Sequence, residues 1–232
     1  MGARTFSGDL RAYLADTETR RVWSLAAQDG IISTAGILLG FAGAGASPLT
    51  LIIAGTSAIV AGMLTMGGAK WAETAAEREA QLQAVTEEVS DLRLQRDRER
   101  ADLIEHYMKK GLSCGLATQV ADELMLHSPL KAILESEHQI FRMISQADVV
   151  ISGAGAAIAF GLGAAIPFTL AYYLPIDIEV GMIVFSVLLS LIFVSIVGAR
   201  AGHMDVRRTI LRTLAIGAVT ISVSYFVGQI AF

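Results

Sequence analysis

Glu88 and Asp91 stand three residues apart, and Glu99 and Asp102 repeat that spacing. On a helix each pair projects two carboxylates from one face. Like charges this close repel unless a cation lies between them. Hard oxygen ligands of this kind suit Fe2+, Mn2+, Mg2+ or Ca2+. The competing reading is a solvated charged helix, with Arg93, Arg96, Arg98 and Arg100 as neighbours. On one straight helix positions 91 and 99 would face about 80° apart. A shared site therefore requires a bend near Leu92–Arg96, where the sequence has neither Pro nor Gly. Without one, the pairs would meet across a dimer or a neighbouring helix.

A second kind of chemistry sits in apolar sequence. Asp29 heads a run, Gly30–Ala69, that carries no charge. A lone carboxylate at membrane depth is costly, by about 2.5–3.5 kcal/mol at the centre of a span, and such acids commonly mark ion pathways. Near a helix end the cost falls, and an interfacial Asp is the alternative. Met63 and Met66 lie three apart, so they share one helical face. Their thioethers are soft, weak ligands for a transition metal, or else ordinary core or lipid-facing Met.

The elements that must position these groups follow from composition. Of 232 residues, 53% are hydrophobic and 17% charged, against roughly 25% charged in a soluble domain. Gly30–Ala69, Val149–Ile176, Val180–Ala199 and Thr213–Phe232 have no charge at all. About 20 apolar helical residues cross a bilayer core. The first stretch allows two crossings, with Ser47-Pro48 as the turn, and each other stretch allows one. The expected fold is an all-α membrane protein of five transmembrane helices, with a helical insert between the second and third. The boundaries are an N-terminal segment over 1–21, spans one and two over 22–70, the insert over 71–147, and spans three to five over 148–232. Residues 71–148 hold 15 acids against 9 bases. They read as a long helix that stops at Gly111, then two shorter helices separated by Ser128-Pro129.

Arginines flank the N-terminal segment and the loop before the last span, whereas the loop after the third span has Asp177 and Glu179 without a base. Basic loops favour the cytoplasmic side. The N-terminus and the insert are thus expected in the cytoplasm, with Asp29 at the cytoplasmic end of the first span. The first 21 residues have no apolar signal-peptide core. The single cysteine, Cys114, excludes an intrachain disulfide. No phosphate-binding glycine loop, H-E-x-x-H or Cys/His zinc pattern is present. The bases of RLQRDRER alternate with acids, which argues against nucleic acid as a partner. No nucleophile, base and orienting group can be assembled, so an enzyme is not expected.

The stretches QDGIISTAGILLGFAGA, IAGTSAIVAGMLTMGGAKW, EREAQLQ and ADLIEHYMKKGLSCGLATQVADELM closely resemble the vacuolar iron transporter family. The order of elements agrees from about Val22 to Phe232. The resemblance implies export of Fe2+ and/or Mn2+ from the cytosol by a homodimer, in exchange for protons, with the metal as transported ion and no permanently bound cofactor. The membrane would be the plasma (inner) membrane in a bacterium and a vacuole-type membrane in a eukaryote. It also implies that Asp29 and Met66 line the pathway and that Glu88, Asp91, Glu99 and Asp102 are insert ligands. Glu137, in LESEHQI, takes the position of a further insert acid, with Glu135 as a near rival. The sequence departs from the family at three places. Ala58 stands where a second membrane acid is common, Lys70-Trp71 replaces Glu-Tyr, and the usual Pro between the carboxylate pairs is missing. A membrane-anchored metal-binding or regulatory protein without transport is the alternative function.

Overall fold

The computed structural model describes residues 17–173 and 176–231. The early arginines Arg4 and Arg11, and Leu174-Pro175 between the third and fourth spans, lie outside the described residues. Every regular element among them is an α-helix: α1 (Thr17–Gly43), α2 (Pro48–Leu94), α3 (Arg96–Lys109), α4 (Cys114–His127), α5 (Pro129–Ser136), α6 (Gln146–Tyr173), α7 (Ile176–Ala201) and α8 (Val206–Ala231). Five of these are long and apolar enough to cross a membrane, namely α1, α2, α6, α7 and α8.

The chain forms two compact units. The first comprises residues up to Trp71 together with Val150 onward, and the second is Ala72–Val149. Helix α2 contributes to both.

In the first unit, α1 supplies Ile31, Ile32, Ala35 and Leu39 to an apolar core. Ile183, Val187 and Leu191 of α7 and Ile221 of α8 complete it. Between α1 and α2 the chain turns at Gly45, whose φ of +71° suits a residue without Cβ. Ser47 then caps α2 by accepting a hydrogen bond from the Thr50 N–H (3.3 Å), with Pro48 at the first helical position. The turn lies where Ser47-Pro48 predicts it.

Helix α1 includes Arg20 and Arg21. Asp29 lies twelve residues beyond Thr17, about 18 Å along the axis at 1.5 Å per residue. It is well inside the helix and not at its end.

Gly30, the neighbour of Asp29, faces α6 so closely that a Cβ would overlap the Phe160 carbonyl oxygen. Gly163 of α6 meets the Ala27 carbonyl in the same way. Backbone approach through small residues is how helices pack without a water-driven hydrophobic force between them.

The second unit is built on Leu103, Ala121, Met125, Ala132 and Ile133, with Leu92, Ile104, Tyr107 and Leu124 against them. Helix α3 ends at Gly111, with φ +99°. There the Leu112 N–H donates to the Tyr107 carbonyl (3.2 Å) and the Gly111 N–H to that of Met108 (2.9 Å). This is the Schellman arrangement that a glycine stop produces.

The long insert helix is not continuous. It breaks at Gln95 (φ −136°, ψ 37°), which ends α2 and starts α3. The Gln95 N–H still donates to Asp91 O (2.7 Å), while its own carbonyl accepts from Arg98 (2.9 Å) and Glu99 (3.1 Å). One residue thus supplies the bend that the carboxylate pairs require, with neither Pro nor Gly.

Because a Cβ at Gly30 would meet backbone, which cannot rotate away, α1 and α6 must separate to admit it. Gly30→Ala should destabilise the protein by about 1–3 kcal/mol. Gly68→Ala, with nothing within 4 Å of its Cβ, should not. Thermal unfolding of both variants in detergent checks this; equal melting temperatures would refute the close packing.

Candidate metal site

The break at Gln95 leaves Asp97 and Glu99 in the first turn of α3, and Glu99 lies within electrostatic reach of Glu88 and Asp91 at the end of α2. The N-terminal N–H groups of a helix favour carboxylates there. Glu88 and Glu99 are both buried, 6% and 7% exposed. Glu99 Oε2 and Glu88 Oε2 have no hydrogen-bond partner among the described residues. A buried ionised oxygen without a partner is unfavourable.

Electrostatics show which acids converge. Burial raises the Glu99 pKa most, and the charges of Glu137, Glu88, Asp102 and Asp91 raise it further. Glu137 is also raised, first by burial and then by Glu88 and Asp102, with His138 and Arg98 opposing. The four acids of the two sequence pairs and Glu137 therefore share one field within the second unit.

Two of the arginines that could have neutralised this field, Arg96 and Arg100, are engaged elsewhere. Arg96 Nη2 donates to the Met125 carbonyl (2.8 Å). Arg100 is held by both carboxylate oxygens of Asp122 on α4, with its Nη2 at 3.0 Å from Oδ2. Arg98 lies 3.8 Å from Asp102 in an exposed pair and also donates to Gln95 Oε1 (3.2 Å). The solvated charged face, in which Arg93, Arg96, Arg98 and Arg100 surround the acids, is thus not the arrangement found for Glu88 and Glu99.

Two rivals for the fifth acid part company. Glu135 pairs with Lys131 one turn earlier, at 3.6 Å. Glu137, just after α5, joins the cluster. Beside it, His138 Nε2 lies 2.9 Å from Glu88 Oε1. One ligand atom each from Glu88, Glu137 and His138 fall within 4.8 Å of one another. His138 is absent from the sequence-based site. A histidine adjacent to Glu137 was the available signal, but its meeting with a residue 50 positions away has no periodicity to announce it.

In the membrane unit the site residues are more dispersed. Asp29 is exposed on α1 and accepts a hydrogen bond from Ser33 Oγ (3.2 Å), one turn on. Leu25, one turn before Asp29, and Ile37, two turns beyond it, are exposed along the same stripe of the helix. Met63 packs its thioether against Gly161 of α6, where a Cβ would lie 2.8 Å from Sδ. Met66 is half-buried.

The chain matches the VIT family over residues 21–229, nearly its whole length. The protein belongs to the VIT family. No curated protein matched it in a sequence search. VIT membership together with five apolar helices identifies an integral membrane protein and suggests a metal-ion transporter. Helices α1 to α8 all lie wholly or largely within the matched region.

The raised pKa values fix a sign for pH dependence. Glu99 and Glu137 hold their protons more tightly folded than unfolded. That stability is fully present below the ordinary glutamate pKa and is lost as pH rises through the raised values. The metal-free VIT protein should therefore melt at a lower temperature at pH 7 than at pH 5 as far as this cluster contributes. Glu99→Gln should raise the pH 7 melting temperature without metal and diminish the further rise on adding Mn2+. Differential scanning fluorimetry in detergent reads both, and an unchanged metal-free melting temperature would show that Glu99 carries no such penalty.

Proposed function

We propose that this VIT protein exports divalent metal, Fe2+ and/or Mn2+, from the cytosol in exchange for protons. The observation that carries the reading is the meeting of Glu88, Glu137 and His138, with ligand atoms within 4.8 Å of one another, together with buried oxygens of Glu88 and Glu99 that have no hydrogen-bond partner among the described residues. A divalent cation is the simplest species that satisfies such oxygens and cancels their repulsion. The second unit is the capturing domain. Asp29 is the pathway carboxylate, and it exchanges a proton for the cation because either neutralises a charge that is expensive in lipid. Met66 adds a soft donor nearby in the pathway, and a second copy of the chain covers the exposed stripe of α1.

Ala58 and Lys70 motivate the competing reading, a membrane-anchored metal-binding protein without transport. Asp29 has Ser33 as a hydrogen-bond partner, and Ala58 stands where a second membrane acid is common in the family. Asp29 must then carry the membrane step alone. Asp29→Asn keeps size and hydrogen bonding but removes the charge. Reconstituted in proteoliposomes, it should lose metal flux by at least about tenfold while metal binding by the protein persists. Flux at the wild-type rate would remove Asp29 from the pathway; absence of flux from the wild type would favour the binding protein.

The insert and the N-terminus are placed in the cytoplasm on the distribution of arginines. Cys114 is exposed in the second unit and is the one cysteine of the chain. In intact cells a membrane-impermeant maleimide should leave it unlabelled. A cysteine at position 178 in a Cys114→Ser background should label readily. The reverse pattern would invert the topology.

A further inference from the structure

We propose that His138 is a direct metal ligand and that its imidazole makes the carboxylate cluster selective for transition-metal ions over Mg2+ and Ca2+. The inference rests on the capture site proposed above and assigns a specificity-determining donor within it.

The geometry comes first. Helix α5 ends at Ser136. Glu137 follows in helical backbone, and Gln139 then adopts φ +56°. That left-handed residue turns the chain immediately after His138. Glu137 and His138 are thus presented side by side toward Glu88 of α2. Ligand atoms of the three lie within 4.8 Å of one another. An ion bound at about 2.0–2.2 Å from nitrogen and oxygen donors holds them up to about 4 Å apart, so the three close on an ion with movements below 1 Å. Without metal, His138 Nε2 and Glu88 Oε1 lie within hydrogen-bond distance, 2.9 Å apart. An ion would take the place of that contact.

An independent observation points into the same space. Glu88, at the floor of the cluster, has its second oxygen buried and unpartnered, and so does Glu99. Glu88 therefore has one oxygen committed to His138 and one still available. Donor chemistry then sets the class of ion. Carboxylates alone suit Mg2+, Ca2+ and Mn2+, whereas imidazole suits the later transition metals and adds affinity along the series from Mn2+ upward. Mg2+ prefers oxygen and retains its water. One nitrogen among oxygens shifts the site away from the two alkaline-earth ions.

Full-length protein in detergent would be loaded with one equivalent of Mn2+, and pulsed electron paramagnetic resonance would measure coupling to 14N. The wild type should show coupling from a bound imidazole nitrogen, and His138→Gln should lose it. Binding titrations should show the ratio of Co2+ to Mg2+ affinity falling at least about tenfold in His138→Gln, with Mg2+ affinity nearly unchanged. A histidine that merely orients Glu88 would lower both affinities together and show no coupling, which overturns the assignment. Coupling that survives in His138→Gln does so as well. Mn2+ bound by the wild type without nitrogen coupling removes His138 alone. Failure of the wild type to bind any of these ions overturns the capture site with it.

Discussion

The second unit depends on a mismatch: carboxylates brought out of water with too little positive charge to meet them. Glu88 and Glu99 come from opposite sides of a one-residue break, and each leaves an oxygen buried without a partner. Like charges in a region of lowered dielectric repel strongly. The fold nevertheless sends two of the nearby arginines outward, Arg96 to a backbone carbonyl and Arg100 to Asp122. Those contacts dock α3 on α4, so the bases serve packing and the acids are left for something else. Such a cluster is held together by the apolar core beneath it, Leu103, Met125 and Ile133. Burial and the neighbouring acids raise the pKa of Glu99 and of Glu137, so a proton neutralises either of them more readily than it does an exposed glutamate.

The membrane unit answers to the opposite constraint. Lipid offers its helices no hydrophobic driving force, so contact comes from close backbone approach. Asp29-Gly30 shows how both demands are met in two residues. Gly30 turns toward α6 and takes the close contact. Asp29, about 100° around the helix, is thereby directed to the stripe that the rest of the chain leaves open. The glycine places the acid by deciding which face of α1 is used for packing.

Much of this was legible in the sequence, and the failures have physical reasons. The five apolar helices follow from charge segregation, a property of long windows that tertiary contacts do not alter. Ser47-Pro48 and Gly111 act through local backbone preference, and the structure ends and starts helices there. The break at Gln95 has no local cause. It follows from the docking of Arg96 onto Met125 and of Leu92 and Leu103 into one core, contacts invisible to a search for Pro or Gly. Arg20 and Arg21 were read as a boundary, yet α1 includes both, and Asp29 lies within the body of that helix. Long arginine side chains extend along a helix toward water, so a helix passes through them and its first apolar residue does not mark its start. His138 escaped because it works from a chain turn, where no period connects it to Glu88.

The two candidate ion sites differ in a way that suits different tasks. The cluster in the second unit combines several acids, buried oxygens and an adjacent imidazole, a donor set that can hold an ion firmly. Asp29 offers one carboxylate, tied to one hydroxyl. Conduction requires binding favourable enough to admit an ion yet weak enough to release it. Several carboxylates at the depth of Asp29 would bind a divalent cation more tightly and, when empty, cost far more in lipid. A single acid keeps both costs low. Ala58, in the place of a second membrane acid, is consistent with that limit: under the proposed function it would weaken the hold on an ion at Asp29 and leave selection to the carboxylates of the second unit.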